Sequence, residues 1–170
     1  MTDPKAPDAV ALLKADHRKV EDLFASYEKA SGDGRKQSIA EEICKELTVH
    51  ATIEEEIFYP ACEGKVEEDL LKEAYVEHDG AKVLIAEIEA GGPSDDYYDA
   101  KVQVLGEQIE HHVGEEEKRM EGVFAQAREA GLDMDALGQQ LATRKAQLLA
   151  SYAKSGVPKP ELATMTETTI

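Results

Sequence analysis

Four of the five histidines in this 170-residue chain belong to a pattern that occurs twice, and the repeat restricts the architecture. His17 is followed by His50-x-x-x-Glu54, and His78 by His112-x-x-x-Glu116. The separations nearly match: 33 residues from His17 to His50, and 34 from His78 to His112. A histidine and a carboxylate four apart project from one side of a helix, a turn apart. Four helices that each bring one imidazole inward, two of them adding a carboxylate, would form a nitrogen and oxygen cage for two metal ions.

The apolar periodicity supplies those helices. Val10, Leu13, His17, Val20 and Phe24 recur at helical spacing from Asp8 to about Lys29, and Ser31 to Gly34 break the pattern. A second helix from about Arg35 carries Ile39, Ile43, Leu47, His50, Glu54 and Ile57 and is expected to end at Pro60. A third, about Val66 to Ala90, carries Leu71, Tyr75, His78, Leu84 or Ile85, and Ile88. Ser94 or Asp95 can N-cap a fourth, which carries Tyr98, Val102, Leu105, Ile109, His112 and Glu116 on to Phe124. Each repeated histidine lies on the apolar stripe, where a polar group needs a partner. No β signal competes. The expected fold is all-α, an antiparallel up-and-down four-helix bundle of two pseudo-twofold-related hairpins. The bundle takes residues 8–128, an extra C-terminal helix 132–155, and a flexible tail 156–170; the residues up to Pro7 read as a loose leader.

Charge and length narrow the function. With 36 acidic against 19 basic residues the net charge is −17, which repels phosphate backbones and disfavours nucleic-acid binding. No run of eighteen apolar residues spans a membrane, and the N-terminus lacks a signal pattern, so a cytoplasmic protein is expected. Cys44 and Cys62 lack C-x-x-C or zinc-ribbon spacing and read as reduced, buried thiols.

Imidazole suits iron, zinc or copper, and carboxylates favour harder cations such as iron and manganese. Four imidazoles with two carboxylates is a mixture that two iron ions accept. Glu54 and Glu116 can bridge, with His17, His50, His78 and His112 in terminal positions. One solvent-derived oxo or hydroxo group would give each ion five ligands. A position on each then stays open for dioxygen, peroxide or nitric oxide. His111 lies about 100° around the helix from His112 and reads as a surface or outer residue. His111-x-x-x-Glu115 offers a register shifted by one, but the parallel with His50, Glu54 and Glu55 favours His112, Glu116 and Glu117. Glu55, Glu56, Glu115 and Glu117 read as solvated or as orienting ligands. Glu21 stands four after His17 without a counterpart in the second half, and Tyr59 and Tyr75 read as core residues with a polar tip.

The segments DH at 16–17, HATIEEEIFYP at 50–60, EH at 77–78 and HHVGEEEKRM at 111–120 resemble the hemerythrin-like, HHE cation-binding family, over about residues 10–124. The resemblance implies a non-haem di-iron centre with an oxo or hydroxo bridge, in a bacterial cytoplasmic protein. Oxygen-carrying members place a further histidine four residues after the third-helix ligand; here that position is Lys82, which puts reversible oxygen storage in doubt.

Two classes of function follow. One is a di-iron protein that binds or senses dioxygen, nitric oxide, peroxide or iron, as a monomer or weak homodimer. The other is an enzyme that decomposes peroxide or assists iron–sulfur cluster repair, although the repair branch usually carries a cysteine-bearing N-terminal segment not seen here. A ferritin-like oxidase would need Glu-x-x-His and a zinc hydrolase H-E-x-x-H, and neither occurs. A metal-free helical adaptor is the remaining alternative.

Overall fold

The computed structural model describes residues 5–166; the first four residues of the leader and the last four of the tail lie outside the described residues. Four long helices follow the predicted stripes: α1 (Ala9–Lys29), α2 (Asp33–Ile53), α4 (Glu68–Gly91) and α5 (Tyr98–Glu117). Asp8 starts α1, its carboxylate accepting from the Ala11 amide at 2.8 Å. Each helix packs on the next in chain order, and α5 returns to α1, which closes an up-down-up-down bundle. No strand occurs among the described residues.

The core is split in two by a polar layer. One apolar cluster holds Leu13, Val49, Ile53, Phe58 and Ala74, and the other holds Val20, Ile43, Leu47, Ala81 and Leu105. His17, His50, Glu54, His78, His112 and Glu116 are buried as well and belong to neither apolar cluster. Such a layer is costly unless its members pair with each other or with a cation.

Three boundaries depart from the sequence reading. The second helix does not end at Pro60. It widens into a π-helical turn over Glu54–Phe58, in which the Tyr59 amide bonds the Glu54 carbonyl, and continues as α3 (Tyr59–Cys62). Proline inside an α-helix clashes with the carbonyl four residues earlier. The π turn places Pro60 in a fresh first turn, where its missing N–H is not needed. The fourth helix stops at Glu117 instead of running on to Phe124, which belongs to the separate α6 (Val123–Glu129). Gly122 permits this reversal, because a Cβ there would stand 2.5 Å from the Glu116 carbonyl and 2.7 Å from the Lys118 amide. Neither Ser94 nor Asp95 caps α5. Tyr97 occupies that position, and Asp95 accepts from its amide at 3.0 Å in the preceding turn.

The predicted C-terminal helix is α7 (Met134–Ser155), and it packs across α1 and α2. Gly138 allows it to cross the start of α1 closely, since a Cβ there would meet the Pro7 carbonyl at 2.2 Å. Residues 161–165 fall within the segment 156–170 that the sequence reads as a flexible tail. They have no helix or strand, yet they lie against α4, where Asp79 accepts from the amides of Ala163, Thr164 and Met165. Composition conceals this because the contacts are to single polar side chains of α4, Asp79 and Lys82. No helix of the described residues is long and apolar enough to cross a membrane.

Candidate metal centre

Each hairpin delivers a histidine pair. His17 from α1 and His50 from α2 bring their Nε2 atoms to 3.1 Å, and His78 from α4 and His112 from α5 do the same at 3.1 Å. Between the pairs lie the two carboxylates, and each divides its oxygens. Glu54 directs Oε1 to His50 Nε2 at 3.1 Å and Oε2 to His78 Nε2 at 3.2 Å. Glu116 directs Oε2 to His17 Nε2 at 3.2 Å and Oε1 to His112 Nε2 at 3.5 Å. Neighbouring ligand atoms about 2.1 Å from one ion lie about 3 Å apart, so these spacings suit cation coordination, with His17, His50, Glu54 and Glu116 in one group and Glu54, His78 and His112 in another. Glu54 Oε1 and Glu116 Oε2 are buried and make no hydrogen bond, which leaves lone pairs facing the cluster. The six side chains predicted from the sequence are therefore brought together.

The Nδ1 atoms face outward to a ring of carboxylates. His50 Nδ1 meets Asp16 at 3.1 Å, His112 Nδ1 meets Glu77 at 3.0 Å, and His17 Nδ1 meets Glu117 at 3.0 Å. Glu55 lies 3.5 Å from His78 Nδ1, too far for a good hydrogen bond. A proton held at Nδ1 leaves the Nε2 lone pair free for a cation. Cations back this ring: Lys145 of α7 on Asp16, Arg18 on Glu117, and Lys82 on Glu55 at 2.9 Å.

The halves differ at one point. Tyr59, fully buried, places its hydroxyl 2.6 Å from Glu116 Oε1 and 3.1 Å from Glu54 Oε2, with His78 Nε2 at 3.2 Å and His112 Nε2 at 3.4 Å. The π turn brings Tyr59, five residues after Glu54, onto the same inner face. The His17 side has no phenol. Its imidazole stacks on Phe124 instead, with ring centroids 5.8 Å apart.

Electrostatics fit a cation site. Burial pushes the His50 imidazole down, but Glu54 and Asp16 outweigh it and hold its pKa well above the ordinary value. Burial opposes His78 as well, and Glu54 and Glu55 push it up to about 9. Glu54, raised by burial, is pulled well below the usual carboxylate range by His50 and His78. Burial and the two acids hold the Tyr59 phenol well above its ordinary value. The shifts of His50 and His78 thus favour positive charge beside Glu54, a role that a metal ion would take over.

Residues outside the cluster are equally informative. His111 is 68% exposed and pairs with Glu77 at 3.3 Å, as expected of an outer residue. Glu21 turns away to Arg18, and Glu56 pairs with Arg144 of α7. Lys82, where a fifth imidazole would stand, bonds Glu55 and Asp79. Sequence reasoning missed Asp16, Glu77 and Lys145. The acid-histidine pairs at 16–17 and 77–78 carried a signal for the first two; nothing local marks Lys145.

The sequence model of the Hemerythrin HHE cation binding domain matches residues 8–124, most of the chain. The chain belongs to this family. A solved HHE relative, the crystal structure of a hemerythrin HHE cation binding domain-containing protein, Rv2633c homolog from Mycobacterium kansasii, shares the fold. It matches with a TM-score of 0.73 over 89% of this chain and 95% of that one, at 22% identity. A protein named DNA nickase from Nostoc sp. (strain PCC 7120 / SAG 25.82 / UTEX 2576) is 31% identical over 109 residues, 64% of this chain. This HHE chain spans only 31% of that relative's length. Family membership and the buried cluster together mark a metal-binding bundle.

Proposed function

We propose that the chain holds two iron ions and uses them to bind or sense a small ligand: dioxygen, nitric oxide, peroxide or cellular iron. The observation that carries this reading is the division of Glu54 and Glu116, each with one oxygen toward either histidine pair. One position would take His17, His50 and both carboxylates, and the other His78, His112 and both carboxylates, with Tyr59 beside it. This nitrogen and oxygen set, richer than the four ligands zinc usually takes, favours iron. When bound, such an ion supplies a site for a small ligand and a one-electron change.

The chain's own residues do the rest. The outer carboxylates fix the tautomer of His17, His50 and His112. The Tyr59 hydroxyl is a proton donor held at Glu116. That proton source, lying beside one half only, favours a second reading: decomposition of peroxide, in which two hydrogen peroxide molecules give two waters and one dioxygen. The lack of a fifth imidazole, with Lys82 engaged elsewhere, weighs against reversible oxygen storage. A net charge of −17 weighs against carrying over the DNA-directed activity in the relative's name.

Anaerobic titration with ferrous iron, followed by metal analysis, is expected to give about two ions per chain, with Glu54→Ala losing both. Uptake of one ion, or a preference for zinc at equal availability, contradicts the di-iron reading. Oxygen evolution from added peroxide above that of free iron selects the enzymatic reading over the sensing one.

A further inference from the structure

A cavity of about 450 Å³ reaches all four clustered histidines. Part of its outer wall is Pro158, Pro160 and Leu162, from the segment after α7. That segment has no regular structure and lies beyond the family match, but Asp79 and Lys82 of α4 fasten it. Asp79 accepts from the amides of Ala163 at 2.8 Å, Thr164 at 2.6 Å and Met165 at 2.8 Å, and from the Thr164 hydroxyl at 2.7 Å. Lys82 donates to the Glu161 carbonyl at 2.9 Å. Both fastenings come from α4, one and four positions past His78, and Lys82 also holds Glu55 beside that histidine.

We infer that residues 158–165 form a strap that sets which ligands reach the histidine cluster, admitting small ones and excluding bulky ones. A diatomic molecule or hydrogen peroxide needs about the volume of one or two waters, roughly 30–60 Å³. The cavity is far larger than that, so its interior does not do the sorting. The limit lies in the wall, and this part of the wall is held by polar contacts, those to Asp79 and Lys82 among them, where the bundle is held by a packed core. Opening it requires no change in α1, α2, α4 or α5.

The inference rests on the iron reading, and the test separates the two. Ferrous-loaded full-length protein is mixed with hydrogen peroxide or with cumene hydroperoxide. One hydroperoxide, two ferrous ions and two protons give an alcohol or water, a further water, and two ferric ions, and absorbance follows the oxidation. The intact chain is expected to react at least ten-fold faster with hydrogen peroxide. Ala163→Pro, which removes one amide donor to Asp79, and a chain ending at Gly156 are each expected to raise the cumene rate at least five-fold. The hydrogen peroxide rate should stay within two-fold.

Amide hydrogen exchange at Thr164 and Met165 reads the strap without iron. It is expected to be slow in the intact chain and at least ten-fold faster in Ala163→Pro. If the shortened chain fails to fold, Ala163→Pro decides the matter. Iron uptake with an unchanged rate ratio in Ala163→Pro, or unprotected amides in the intact chain, overturns the strap alone. A chain that takes up no iron overturns the iron reading and the strap with it.

Discussion

Asp16 and Glu77 each directly precede a clustered histidine, yet each bonds the other histidine of its hairpin, Asp16 to His50 and Glu77 to His112. Glu55 and Glu117 each follow a clustered carboxylate, Glu54 and Glu116, and each faces a histidine of the opposite hairpin, His78 and His17. The outer ring thus obeys the same twofold relation as the inner cluster. That relation was legible as repeated DH and EH pairs, but which histidine each acid serves depends on how the helices cross. Removing such an outer partner lowers metal affinity about 10–100-fold in comparable sites. Asp16→Asn is expected to fall in that range in a competition titration, with Lys145→Ala lowering affinity less, since Asp16 still reaches His50. An unchanged affinity in Asp16→Asn would remove this ring from the account. Cys44 is a different kind of buried group: burial, then Glu89 and Glu41, push its thiol up to about 12. Its folded value exceeds the unfolded one, so its contribution to stability is complete below about pH 9 and declines as pH rises above that. Slow alkylation of Cys44 at pH 8 in the native protein, and fast alkylation after unfolding, is the expected outcome.

Helix existence was readable wherever the apolar spacing stayed at 3.6, as along Val10, Leu13, His17 and Val20, because burial of that stripe decides the structure. Ends were less readable. HATIEEEIF and HVGEEEKRM carry the same His-x-x-x-Glu core, but the first continues through a π turn while the second stops at Glu117. Pro60 is the local cause in the first half. In the second, the position five after Glu116 is Glu121, a surface residue paired with Lys118 at 2.8 Å, so nothing there holds a turn inward. Tyr59 therefore has no twin, and the asymmetry of the centre follows from one helix end. The reversal after α5 depends on Gly122. Gly122→Ala would press a methyl group on the Glu116 carbonyl and the Lys118 backbone. Overpacking of this kind costs about 1–3 kcal/mol. The melting temperature should fall, and iron content should fall with it because the displaced turn carries Glu116. A loss of stability with iron content unchanged would separate the turn from the centre.

Two electrostatic burdens act on the molecule as a whole, and they answer to different remedies. The surface carries most of a net charge of −17, and its self-repulsion opposes the compact state. The interior holds Glu54 and Glu116 at 0% and 1% exposure, between two apolar clusters. Dissolved salt screens the first burden, since the Debye length shrinks from about 30 Å at 0.01 M to about 3 Å at 1 M, but it does not reach the second. A bound cation answers the second directly and stabilises the fold by mass action, about 4 kcal/mol at a thousandfold excess over Kd. Metal-free protein is therefore expected to melt at a higher temperature as salt rises. The additional gain on loading iron should survive at high salt. Melting curves of both forms at the two ionic strengths check this. If the gain from iron disappears at 1 M salt, the cation is held on the acidic surface, and the buried layer is not where it binds.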